Sequence, residues 1–135
     1  MMSILQPPGW ARPKGFSHGV YVSGRQVIIA GQIGCDAQGR IVAKTFAGQF
    51  RQTLANILAV LAEAGGRSEH LVRLTWYVLD LKEYSAALKD VGTAYRELIG
   101  KHYPAMAVLQ VGALMEDEAK VEIETTAVVP EGKPV

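Results

Sequence analysis

Residues Ala105–Val111 are apolar on both sides of an extended strand, apart from Gln110. Successive side chains of a strand point to opposite faces, so such a run demands burial on both. Lys120–Val129 behaves differently. Val121, Ile123, Thr125 and Ala127 alternate with Lys120, Glu122, Glu124 and Thr126. One face of that strand suits a dry core, and the other suits solvent or a partner. Two such strands call for a sheet with helices on one face and a different cover on the other. A second copy of the chain would provide that cover, and a homo-oligomer is the expectation.

The helices are legible from spacing. Phe46, Phe50, Leu54, Ile57 and Leu61 recur at steps of three and four and predict a helix over 46–64. Thr45 suits its N-cap, and Gly65-Gly66 its end. Asp80 and Glu83 have capping-box spacing for a second helix. Its apolar face is Tyr84, Ala87, Leu88, Val91, Tyr95 and Leu98, and Gly100 stops it. Leu71–Leu79 reads as a strand, as do His18–Val22 and Gln26–Gly31, with Ser23-Gly24 between the latter two predicting a hairpin. Met1–Lys14 reads as irregular. The order β-β-α-β-α-β-β predicts an α+β fold, with two helices on one face of a mixed sheet, in a single domain over residues 1–135.

Composition narrows the function. A net charge of +1 with dispersed lysines and arginines lacks the basic footprint of a nucleic-acid binder. No run of about 18 apolar residues exists to cross a membrane. The N-terminus has no signal-peptide pattern, so a cytoplasmic protein is expected. Cys35 is the single cysteine and reads as a small apolar filler. His18, His70 and His102 lack metal-ligand spacing, so neither a metal nor a cofactor is expected. The remaining partner classes are a small molecule and further copies of the chain.

Four segments occur in order with a shared pattern. They are Gly15-Phe16-Ser17-His18-Gly19-Val20, Ala30-Gly31-Gln32-Ile33-Gly34, Gln52-Thr53-Leu54-Ala55-Asn56-Ile57 with Ala64-Gly65-Gly66 closing its helix, and Pro104-Ala105-Met106-Ala107-Val108 followed by Val121-Glu122-Ile123-Glu124. Together, from about Gly15 to Val129, they resemble the RidA/YjgF family of reactive-intermediate deaminases. The resemblance implies a chorismate-mutase-like α+β fold and a homotrimer with ligand clefts between subunits. In deaminating members an arginine after Pro-Ala clamps the carboxylate of a 2-imino acid such as 2-iminopropionate. The first glutamate of the Glu-x-Glu pair positions the hydrolytic water.

Carried over by motif, Glu122 is the catalytic candidate, and Phe16, Gly31, Met106, Ala107 and Val108 are the ligand-binding candidates. The clamp position falls on Met106. A guanidinium offers a carboxylate a planar fork of donors, whereas a thioether offers none. Losing such a pair inside a cleft costs about 2–5 kcal/mol, roughly a 30- to several-thousand-fold loss. Arg73 and Lys120 are the basic residues that suit a displaced clamp by type. The expectation is therefore a trimer that binds a small metabolite and hydrolyses an imine or related C–N bond, but not an efficient 2-imino acid deaminase. A non-catalytic ligand-binding or chaperone-like trimer is the alternative, with Glu122 then a solvated strand carboxylate. A ribonuclease is a third reading, disfavoured by the near-neutral charge.

Overall fold

The structure, a computed structural model, describes residues 2–132. Its elements are β1 (Ser3–Leu5), β2 (Gly19–Tyr21), β3 (Arg25–Gln32), α1 (Phe46–Ala62), β4 (Leu71–Val78), α2 (Leu81–Ala86), α3 (Leu88–Leu98), β5 (Ala105–Gln110) and β6 (Val121–Val129). The main sheet has the order β3-β6-β4-β5. Only β4 and β5 run parallel in it, so the sheet is mixed.

Two expectations for the N-terminal region need correction. The segment Met1–Lys14 is not wholly irregular, because Ser3–Leu5 pairs antiparallel with Gly19–Tyr21. Nor do the second and third strands form a hairpin: β2 joins β1 in a separate two-stranded sheet, while β3 joins β6. Gly24 sits where the chain leaves one sheet for the other. Its φ of +148° and close approach, with a Cβ there only 2.8 Å from Val128 Cγ1, leave room for glycine alone. Beyond it, Ile29 reaches the main core, a burial that a hairpin with the short β2 would not supply.

The helices follow local chemistry. Thr45 Oγ1 accepts a hydrogen bond from Gly48 N at 3.1 Å and starts α1. Gly65, at φ +75°, ends it, with Gly66 N donating back to Leu61 O at 3.1 Å. The predicted second helix is broken at Ala87 (φ −96°, ψ 3°) into α2 and α3. Asp80 caps its start through Lys82 N and Glu83 N.

The core lies between the helices and one sheet face, where Leu54, Ile57, Leu61, Leu74, Val78, Val121, Ile123 and Ala127 are fully buried. The alternation of β6 is observed: Val121, Ile123, Thr125 and Ala127 are buried, and Glu122, Glu124 and Thr126 are not. On β5, Met106 and Val108 pack against the core. The opposite face is bare, with Ile28 70% and Leu109 45% exposed. No described helix is long and apolar enough to cross a membrane.

Candidate functional site

The residues singled out by motif fall into two clusters. The first joins β3 to β6. A Cβ built on Gly31 would overlap the Glu122 carboxylate, lying 2.8 Å from its Cδ, so the half-buried glutamate crosses the glycine backbone. Register breaks between Ile29 and Gln32 at this point.

Side chains of α1 hold this corner in place. Asn56 Nδ2 donates to Ile33 O and Cys35 O, both at 2.9 Å, and Asn56 Oδ1 accepts from Gln52 Nε2. The buried Gln49 donates to Ala43 O and Glu118 O and accepts from Lys120 N at 2.7 Å. Gly34 lets the helix backbone approach, since a Cβ there would lie 2.6 Å from Gln49 O. The Gln-Thr-Leu-Ala-Asn segment thus anchors the end of β3, while Gln49 anchors the start of β6. Glu124, on the same face as Glu122, accepts a hydrogen bond from the Tyr77 hydroxyl. That bond to a carboxylate raises the Tyr77 pKa above the ordinary phenol value.

The second cluster is a cleft of about 670 Å³ between β5 and the α2–α3 pair. Phe16, Met106, Ala107 and Val108 line it together with Trp76, Tyr84, Leu88, Val91, Tyr95 and Tyr103. Ser17 pins the Phe16 segment to the start of β5: its N donates to Pro104 O at 3.0 Å and its Oγ to Tyr103 O at 2.5 Å. His18 stands edge-on between Phe16 and Trp10, with ring centroids 5.7 and 5.1 Å away. Tyr95 stacks on Tyr103 at 5.3 Å, and its hydroxyl donates to His102 O. Burial, reinforced by Tyr103, pushes the Tyr95 pKa far above its usual range.

Gly31 and Glu122 take no part in lining this cleft. Strand register gives the reason. Met106 stands beside Leu74, which is buried toward the helices, whereas Glu122 stands beside Tyr77, on the bare face.

Neither basic residue suggested by type lines this cleft within the chain. Lys120 Nζ is paired with Glu83 Oε2 at 2.7 Å. Arg73 lies in a hollow on the bare face with Tyr77 and Glu124. The charged residues lining the cleft are instead Lys14 and Arg96. Arg96 follows Leu88 and Gly92 at steps of four along α3, and that helical stripe was its only signal in the sequence. Among the described residues no group of three or more His, Cys, Asp or Glu side chains is placed to hold a metal ion.

Comparison with known proteins gives a consistent picture. A family model described as Endoribonuclease L-PSP matches residues 10–129. The 2-iminobutanoate/2-iminopropanoate deaminase of Salmonella typhimurium is 33% identical over 108 residues, 78% of this chain and 80% of that protein. A RutC family protein of Pyrococcus horikoshii is 35% identical over 128 residues, 94% of this chain and 98% of that protein. Among solved structures, a Rid family protein of unknown function from Yersinia pestis superposes with a TM-score of 0.83 at 33% identity, covering 95% of this chain and 98% of that one. A family match spanning nearly all the described residues, together with relatives of this similarity and coverage, makes the chain a member of the RidA/YjgF family.

Proposed function

We propose that the chain forms a homotrimer in which the Met106 cleft of one subunit meets Gly31 and Glu122 of the next. This composite site binds a small metabolite and hydrolyses an imine or related C–N bond. One observation carries the reading: the residues matching the family motifs divide between opposite faces of one sheet, and neither group is a complete site. The bare apolar Ile28 and Leu109 supply a surface for assembly.

The chemistry follows from the side chains. Glu122 accepts a proton from a bound water, and the water oxygen attacks the imine carbon. The C=N π pair moves to nitrogen, which is protonated to an amine. Collapse of the carbinolamine expels ammonia and leaves a carbonyl. The names of relatives as 2-iminobutanoate/2-iminopropanoate deaminases support this reaction class. Met106 departs from it, because a thioether cannot donate to a substrate carboxylate beside the reacting carbon.

The test is hydrolysis of freshly generated 2-iminopropionate, followed through pyruvate, by native protein and by Met106→Arg. The expected result is weak native turnover and a gain of about 30-fold or more in the variant. Glu122→Gln in the variant background abolishes that gain. Efficient native turnover contradicts the assigned consequence of Met106.

A further inference from the structure

The cleft carries its positive charge in a different place from position 106. Lys14 and Arg96 are the charged residues of its lining, and no carboxylate offsets them. Arg96 makes no ion pair or side-chain hydrogen bond among the described residues, while its neighbour Glu97 is taken by Arg51 at 2.7 Å. The guanidinium folds back over Gly92: a Cβ there would lie 3.1 Å from Arg96 Nη1. Glycine at this helical position leaves room for that head group at the cleft wall.

The rest of the cavity is apolar and large. Its volume of about 670 Å³ lies within the roughly 300–1,000 Å³ of sites that enclose drug-sized ligands. That is far more space than a three-carbon acid fills. Trp76 lines the cleft, is 5% exposed, and its indole Nε1–H has no hydrogen-bond partner. A buried donor without a partner is costly, and a ligand oxygen reached by a small side-chain adjustment would relieve it.

We infer that the cleft selects elongated organic anions, with the apolar body on Phe16, Trp76 and Met106 and the anionic group on Arg96. The inference rests on the cleft being the ligand site, as proposed above, and adds the ligand class. Arg96 stands on the helical wall and Met106 on the strand wall, so the charge is held away from position 106. A methionine there is then a packing surface for the ligand body rather than a lost clamp.

Three probes of one shape test this: 3-phenylpropanoate, 3-phenylpropanamide and 3-phenylpropylamine. Each is titrated into the assembled protein, with the amide and Trp indole resonances followed by NMR. The expected result is that the carboxylate binds native protein about tenfold more tightly than the amide. Arg96→Gln removes that preference without weakening the amide, and Arg96→Glu shifts preference to the amine. Arg96 is solvent-exposed, so both variants should keep the native fingerprint. Equal binding of carboxylate and amide, or a preference that survives Arg96→Gln, overturns the anchor while leaving the cleft as a binding site. If no probe shifts a cleft resonance, the cleft reading itself falls, and the anchor with it.

Discussion

Met106 and Glu122 stand on opposite faces of the same sheet, Met106 in register with the buried Leu74 and Glu122 with Tyr77 on the bare face. Because strand side chains alternate strictly, no rotamer brings the two together within one chain. In the proposed trimer, assembly through the bare face would let one subunit's cleft wall and another's carboxylate share a ligand.

Gly31 is predicted to act through Glu122. An added Cβ at position 31 meets the carboxylate end of a flexible side chain rather than backbone. Gly31→Ala should therefore fold, with stability within about 1 kcal/mol of native by urea melts. Glu122-dependent hydrolysis in the Met106→Arg background should fall about tenfold or more, because a carboxylate displaced by an ångström loses its water geometry. Combining Gly31→Ala with Glu122→Gln should cost no more than Glu122→Gln alone.

Thr125 is predicted to cost stability within the core. It is 3% exposed, and its Oγ1 has no hydrogen-bond partner. Valine has nearly the same shape and no hydroxyl to desolvate. Thr125→Val is expected to stabilise the fold by about 1 kcal/mol, read from the urea midpoint at unchanged slope.

Alkaline pH should weaken the fold through Tyr95. Burial keeps its hydroxyl neutral and raises its folded pKa above the unfolded value. The stability from the protonated group is complete below the ordinary tyrosine pKa of about 10 and is lost as pH rises toward the raised value. Urea melts through that range should show falling stability, with a shallower fall in Tyr95→Phe. Some slope will remain, because Tyr77 and Tyr84 are shifted in the same direction.

Much of this architecture was legible in the residues because its signals are local. The Phe46–Leu61 stripe, the Thr45 and Asp80 caps and the β6 alternation each depend on neighbours a few positions apart. The pairing of Ser3–Leu5 with Gly19–Tyr21 was not legible, since a three-residue strand carries almost no periodicity and its partner lies well along the chain. The break at Ala87 was hidden by an apolar stripe that runs straight through it. The motif resemblance identified Phe16, Met106, Ala107 and Val108, which do line one cleft, and placed Gly31 and Glu122 in that same pocket, where the structure instead sets them against each other elsewhere. It did not separate those groups, because that depends on how β5 and β6 register against β4. Arg96 escaped notice because a cation on a helix usually marks a solvated face.

The most direct test of the shared site is complementation between two chains that are each deficient on 2-iminopropionate. One carries Met106→Arg with Glu122→Gln, and the other is the native chain, with Met106→Arg alone as the active control. The two are unfolded together and reassembled, and pyruvate release is compared with that of each reassembled alone. A site built across subunits predicts that the mixture hydrolyses 2-iminopropionate well above either parent, because some clefts then pair the new arginine with a neighbour's Glu122. A mixture no more active than its parents, with the Met106→Arg control fully active, would place both residues' work within one subunit and contradict the account.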